Sequence, residues 1–310
     1  MKLAALWRAW VALWDRREPA TALALVRIGV GLVLLVDLVK LGHLGLVTPM
    51  FSAPPDGYAV TTGGWGQALF GSDPTAAFAL TLAAVFAAVC IALGLATRVA
   101  CIGFVLVSAQ LAQIAPDADR GIHMVLRIVL VILALSWCHA RWSIDAWVWR
   151  RFGRPLPTEV PAWPRYLILL QVIWIYVSAG MNKSGAEWGP LGDFRALANA
   201  VCDPHIARMS CDWVSSVVPL TQVATALSMT FELSAPLYLV YLYCAETADR
   251  AGRLRRLVNA LRLRWVWLVL GIAFHVGIAV FLRLGAFPWG MLALYPALLL
   301  PRDLLRGRER

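Results

Sequence analysis

Long apolar runs separated by short polar or Gly- and Pro-bearing stretches dominate the chain, near residues 19–41, 74–95, 99–115, 121–138, 164–183, 218–243, 264–283 and 285–300. At about 1.5 Å rise per residue, a helix needs about 20 apolar residues to cross about 30 Å of hydrocarbon, and the third, fourth and eighth runs are short by that measure. The runs are continuous and rich in Leu and Ala, whereas β-barrel strands alternate over about ten residues. The pattern predicts an all-α, polytopic integral membrane helix bundle of about eight transmembrane helices. Tight turns after the second and seventh runs predict helical hairpins. Ahead of the first run, Leu3 to Trp14 with Arg8 among its apolar residues reads as an interfacial amphipathic helix within segment 1–18. Residues 19–303 form the expected transmembrane domain and 304–310 a basic cytoplasmic tail. A signal peptide is not expected, because Arg8 interrupts the apolar stretch and no small-residue cleavage site follows.

Composition strengthens this reading. Hydrophobic residues make up 60% of the 310 and charged residues 15%, and the mean hydropathy is +0.70. A soluble domain has about 45–50% apolar and about 25% charged residues, so this excess must face lipid. The net charge of +10 would suit a nucleic-acid binder, but here it sorts by side of the membrane. With the N-terminus inside, the inner loops hold Lys2, Arg8, Arg16 and Arg17, then Arg98, the group from Arg141 to Arg165, the group from Arg250 to Arg264, and the arginines of the tail. Outside fall only Arg120, Lys183, Arg195, Arg208 and Arg283. Both termini are therefore expected in the cytoplasm, the basic face is expected to contact anionic lipid headgroups, and no nucleic-acid partner is expected.

Two outer loops are long, 42–73 and 184–217, and loops of that length usually have a function or a local fold of their own. The second contains Cys202 and Cys211, candidates for a disulfide on the oxidising side. No spacing of Cys and His suggests a metal site.

An ionisable group within hydrocarbon costs at least about 2.5–3.5 kcal/mol and needs a partner or a task. Arg27 and Glu232 lie at comparable heights, about 12 Å from the inner ends of their helices, and are expected to form a structural ion pair. Asp37 and Arg127 are placed to pair in the same way near the outer ends, and Lys40 to snorkel. His123, Lys183 and His275 have no obvious carboxylate at their height. His123 shares a helix face with Arg127, and Lys183 with Gly180 and Tyr176. A lysine among cationic neighbours in an apolar pocket becomes a usable general base, whereas the structural alternatives are a snorkelling lysine and satisfied core histidines.

Three stretches carry a resemblance: Gly121-Ile-His-Met through Ser136-Trp-Cys-His-Ala-Arg-Trp-Ser-Ile-Asp145, Tyr176-Val-Ser-Ala-Gly-Met-Asn-Lys-Ser-Gly-Ala-Glu-Trp188, and Phe274-His-Val-Gly with Leu284-Gly-Ala-Phe-Pro-Trp-Gly-Met-Leu-Ala. Phe231-Glu-Leu-Ser-Ala-Pro236 adds an acidic position. In this order they resemble the horizontally transferred transmembrane (HTTM) domain, the family of vitamin K-dependent gamma-carboxylase. The resemblance implies an enzyme that uses vitamin K hydroquinone or menaquinol, oxygen and carbon dioxide to carboxylate glutamates of a secreted peptide or protein at the outer face of a bacterial inner membrane. It gives Lys183 the role of the base that deprotonates the quinol and puts His123 and His275 in the same pocket. Arg127, Tyr176, Asn182 and Trp188 complete the candidate pocket, and no metal is implied.

The sequence departs from the carboxylase at Ile122, where an asparagine is usual, and at Asn182, where a second lysine is. The chain also ends where the carboxylase continues into a large extramembrane region, so its length resembles stand-alone bacterial members, including the SdpB-like proteins that help to mature a secreted peptide toxin. Three functions follow as expectations: a quinol-dependent enzyme, a non-redox maturation or export helper for a peptide, and a transporter. Inverted repeats and paired broken helices, which mark many transporters, are not evident.

Overall fold

Local chemistry sets the ends of the apolar helices. Asp73 accepts a hydrogen bond from the Ala76 amide at 2.8 Å, Pro74 occupies the first turn, and Gly94 closes the helix at φ +69°, a left-handed cap that glycine adopts without strain. The computed structural model describes residues 2–59 and 65–305. Among these, five helices are long and apolar enough to cross a membrane: Thr21–His43, Pro74–Leu93, Thr97–Ile114, Trp163–Asn182 and Leu263–Phe281. A sixth span results if Val218–Leu233 and Leu237–Glu246, bent by 65° at their junction, count as one.

Two of the eight expected spans come out shorter than a bilayer. Residues 121–138 give a helix of 15 residues, Gly121–Leu135, which stops where the Ser136 hydroxyl turns back to the Leu133 carbonyl. Residues 285–300 give only Phe287–Leu294 before a 3₁₀ turn at Tyr295–Leu298, because Pro296 has no N–H to continue the ladder. The fold is an all-α membrane bundle, with five or six full-length spans among the described residues.

The chain divides into two compact units, Met1–Leu169 with Ala293–Arg310, and Leu170–Leu292. The first contains α1 (Lys2–Trp14), α2 (Thr21–His43), α3 (Val47–Phe51), α4 (Trp65–Phe70), α5 (Pro74–Leu93), α6 (Thr97–Ile114), α7 (Gly121–Leu135) and α8 (Ile144–Arg151). Helix α9 (Trp163–Asn182) starts in this unit. Within α1, Trp7, Trp10, Val11 and Leu13 are exposed, a surface suited to the headgroup region. The expected basic tail falls mostly on residues 306–310, outside the described residues.

Helices α2, α5, α6 and α7 pack in sequence order. At Gly31, an added Cβ would come within 2.6 Å of the Ala92 backbone nitrogen, so glycine is what allows α2 and α5 to cross closely. Where they meet, Arg27 is 0% exposed and donates to the carbonyls of Ile91 at 2.7 Å, Ala92 at 2.9 Å and Trp142 at 2.6 Å. The last carbonyls of α5 have no partner in their own helix, and a guanidinium supplies donors where the helix dipole is negative.

A short antiparallel ribbon, Arg17–Pro19 against Glu159–Pro161, brings the chain before α2 to the start of α9. It carries Glu18, whose carboxylate accepts from Arg165 Nε at 2.7 Å and Nη2 at 2.9 Å, both side chains being almost fully buried. Arg165 Nη1 also donates to the carbonyls of Ala297 and Leu299. Arg165 thus joins three parts of the unit, in place of the solvated inner-loop position its charge suggested.

The second unit contains the remainder of α9, α10 (Ala196–Cys202), α11 (Val218–Leu233), α12 (Leu237–Glu246), α13 (Arg253–Ala260), α14 (Leu263–Phe281) and most of α15 (Phe287–Leu294). Pro236 cannot donate to the Glu232 carbonyl, so α11 breaks there and α12 leaves at an angle. Trp267 of α14 meets the break, donating its indole N–H to the Phe231 carbonyl at 3.3 Å. The long loop 184–217 has a local fold: Val201, Val214 and Leu282 form a small core, and Arg208 and Arg283 bond backbone to backbone with Phe281 and Ile206.

The Arg27 contacts make a prediction. Arg27→Met removes a charged donor from three carbonyls and should lower stability in detergent by about 3 kcal/mol or more. Gly94→Ala should cost a similar amount, because its Cβ would lie 2.5 Å from Arg27 Nη1 at a positive φ. Thermal or denaturant unfolding of the purified variants measures both.

Candidate functional site

In the second unit, Tyr176, Gly180 and Lys183 share one face of α9, with Lys183 just past its end. A Cβ at Gly180 would lie 2.9 Å from Leu233 Cδ2 and 3.2 Å from Glu232 Cβ, so the glycine lets α9 approach the end of α11. That approach brings Lys183 Nζ to 2.5 Å from Glu232 Oε2, with the carboxylate side chain only 3% exposed. The ammonium also lies over the rings of Trp188, at 4.4 Å, and Phe274, at 5.8 Å.

About two turns earlier on the same face, the Tyr176 hydroxyl and His275 Nε2 are 2.6 Å apart. The donor of that bond depends on the imidazole tautomer. Both side chains are buried, within a set of rings that includes Phe231 at 4.8 Å from Tyr176, Trp267 at 5.7 Å from Tyr176 and Phe287 at 5.7 Å from His275. A hydroxyl and an imidazole in this surround can exchange or share a proton away from bulk water.

In the first unit, Asp37 on α2 faces the start of α7. His123 Nε2 is 3.0 Å from Asp37 Oδ2, and Arg120 Nη2 donates to both Asp37 oxygens at 3.0 and 3.1 Å. Arg127 makes a two-pronged contact with Asp119, at 2.8 and 2.6 Å, and His123 Nδ1 lies 3.7 Å from the same carboxylate. These groups and Lys40 line a cavity of about 160 Å³, walled otherwise by residues such as Leu34, Phe51, Phe104 and Leu111. A water needs about 10–15 Å³ measured this way, so the cavity has room for several.

The structure therefore corrects four expectations. Glu232 pairs with Lys183, and Arg27 is engaged by backbone carbonyls, so the two do not form the expected ion pair. Arg127 pairs with Asp119, while Asp37 takes Arg120 and His123. The 3₁₀ turn Pro116–Ala118 folds Asp119 back onto α7, which height along a helix does not register. His123 and Lys183 both have carboxylate partners, and Lys183 faces a carboxylate and rings instead of cations. Asn182 is exposed and donates to the Ser178 carbonyl at 2.8 Å, ending its own helix instead of facing a pocket.

Sequence reasoning missed Glu18, Asp119 and the ring set of Phe231 and Trp267. Glu18 sits in a segment whose arginines suggested only an interface, and Asp119 is eight residues from its partner, outside helical neighbour spacing. Among the described residues, no group of three or more His, Cys, Asp or Glu is arranged to hold a metal ion.

A family model described as the HTTM domain matches residues 15–259. The chain belongs to the HTTM domain family. The matched segment of this HTTM protein includes Arg27, His123, Lys183 and Glu232, and stops short of His275. No curated protein and no solved structure matches the chain.

In the loop 184–217, Cys202 and Cys211 are present as thiols close enough to hydrogen-bond, and that bond pushes the Cys202 thiol up to about 11. Since the thiolate is the nucleophile, Cys202 should label slowly under reducing conditions at pH 8. Cys211→Ala removes the bond and should speed Cys202 alkylation about tenfold, the gain in thiolate fraction being partly offset by the weaker nucleophilicity of the less basic thiolate. Mass spectrometry of maleimide-treated protein reads the difference. Without reductant, the wild-type pair should resist labelling at both positions.

Proposed function

We propose that this HTTM protein is a quinol-dependent membrane enzyme of carboxylase type that modifies a secreted peptide at the outer face of a bacterial inner membrane, with vitamin K hydroquinone or menaquinol as cofactor. The observation that carries the reading is the Lys183 amine, held against Glu232 between ring faces just past the helix that bears Tyr176, whose hydroxyl meets His275 of α14. The donor set fits a quinol: flat apolar faces for an aromatic ring and a basic nitrogen for its hydroxyl proton. When bound, the quinol supplies the reducing power and the reaction with oxygen that the chain's own side chains lack.

The rest is assigned to residues. With their shared proton on the Glu232 carboxyl, Lys183 Nζ has a free lone pair and can accept a proton from a bound hydroxyl. The burial of Glu232 disfavours separated charge and keeps the pair together. Tyr176 and His275 can hold a proton at Oη or Nε2 and present a hydrogen bond to negative charge that develops nearby. The rings of Phe231, Trp267 and Phe274 exclude water from that hydroxyl and imidazole. The bias of arginines toward the loops on one side supports cytoplasmic termini and an outward-facing site.

A second reading, a non-redox helper that matures or exports a peptide, is favoured by one observation, the local core of the loop 184–217. An ordered outer loop can seat a peptide without redox chemistry.

The deciding experiment incubates the purified protein in detergent with vitamin K hydroquinone or menaquinol, oxygen and bicarbonate, and measures quinone epoxide by chromatography. Epoxide that depends on Lys183 is the expected result; no epoxide and no quinone binding would reject the reading. Lys183→Met alone leaves a buried carboxylate unpaired and should cost about 3–5 kcal/mol, so the informative variant is Lys183→Met with Glu232→Gln, expected to fold and form no epoxide. Tyr176→Phe should keep the fold and lower the epoxidation rate about 10- to 100-fold.

A further inference from the structure

A second basic site lies in the first unit, built from residues that the Lys183 site does not use. The N-terminus of α6, the turn after α7 and the segment following α8 enclose a groove of about 490 Å³, lined among others by Arg98, Trp137, His139, Trp149 and Arg154. Its one lining acid, Asp145, is already engaged: its oxygens accept from the Ala96 amide at 2.8 Å, the Thr97 amide at 2.9 Å and the Thr97 hydroxyl at 2.7 Å. That carboxylate caps α6, and among the described residues neither guanidinium in the groove has an acidic partner.

The arginines are prepared for an anion. Arg98 lies 4.8 Å above the Trp137 ring, which occupies the face of the guanidinium and leaves its in-plane N–H groups free to donate. His139, 7% exposed, lines the same groove, and its buried Nδ1 has no hydrogen-bond partner. Burial and the nearby Arg98 hold the His139 imidazole below its usual range, so near neutral pH it offers one N–H without adding charge.

We infer that this groove binds the phosphate of an acidic phospholipid headgroup, with Arg98 and Arg154 as charged donors beside the His139 ring. The rim favours a lipid over a free anion. Trp149 is exposed beside Pro155, Leu156 and Pro157, an amphipathic edge of the kind that sits at headgroup level, and Trp147 and Phe152 nearby are also exposed. The site is independent of the quinol reading, since it uses none of the same residues.

The test is a thermal-shift titration of the full chain in nonionic detergent with phosphatidylglycerol, phosphatidylcholine or inorganic phosphate. Phosphatidylglycerol should raise the melting temperature saturably and the other two should not. The double variant R98Q/R154Q should leave the lipid-free melting temperature unchanged and raise the half-saturating lipid concentration about tenfold or more. R253Q/R256Q, which removes the same charge from exposed positions of α13, should shift it by less than about twofold. Equal stabilisation by phosphatidylcholine, equal loss in the two double variants, or saturation of the same shift by inorganic phosphate would each overturn the assignment.

Discussion

A cation sealed in apolar surroundings has to be answered locally, and in the first unit Arg27 imposes that demand on everything around it. Its guanidinium is 0% exposed and bonds to the carbonyls of Ile91, Ala92 and Trp142. Those carbonyls come from the end of α5 and from the turn before α8, so one side chain on α2 fixes where a helix stops and where the chain turns back. Gly94, Ser143 and Asp145 follow from this. Glycine at 94 leaves room for the guanidinium, Ser143 caps α8 by accepting from the Ala146 amide, and Asp145 reaches back to cap α6. A lysine at position 27 would carry the charge without the planar fork that reaches three acceptors.

The same logic recurs with different partners. Arg165 is answered by the Glu18 carboxylate and two carbonyls, Arg127 by Asp119, and Lys183 by Glu232 and aromatic faces. Desolvated charge is expensive, so each pair is close, and each ties segments that are far apart in sequence or that the loop geometry alone would leave unfixed. What distinguishes the Arg98 and Arg154 groove is that the carboxylate lining it, Asp145, is already committed to Ala96 and Thr97, so neither arginine has an acidic partner among the described residues.

The apolar runs were legible because hydrocarbon imposes one pattern on every span; the positions of α2, α5, α6, α9 and α14 follow from length and composition alone. The two spans that fall short, at 121–138 and 285–300, depended on Ser136 and Pro296, single residues whose effect on a helix end is local. Pairings were far less legible. Height along an ideal helix put Arg27 with Glu232, but the acceptors Arg27 uses are backbone carbonyls, which no residue type marks. Glu232 stands one residue before the end of α11, where Pro236 breaks the rod on which that height was measured. Lys183, Tyr176 and His275 were found because polar residues within apolar runs stand out. Asp119, which sits in a loop where acids are ordinary, did not.

Pairing Lys183 with Glu232 also changes what kind of base the lysine can be. A lysine surrounded by cations is a base because its neighbours repel the proton. With the Glu232 carboxylate at 2.5 Å, Nζ faces an opposite charge held by α11 in place of the cations that spacing suggested. If a quinol were bound, Trp188 and Phe274 would hold its ring, and Lys183 would take up its hydroxyl proton and stay beside the charge left behind. The carboxylate is thus what would let one lysine act as base before the transfer and as counterion after it, without a change in the net charge of the site.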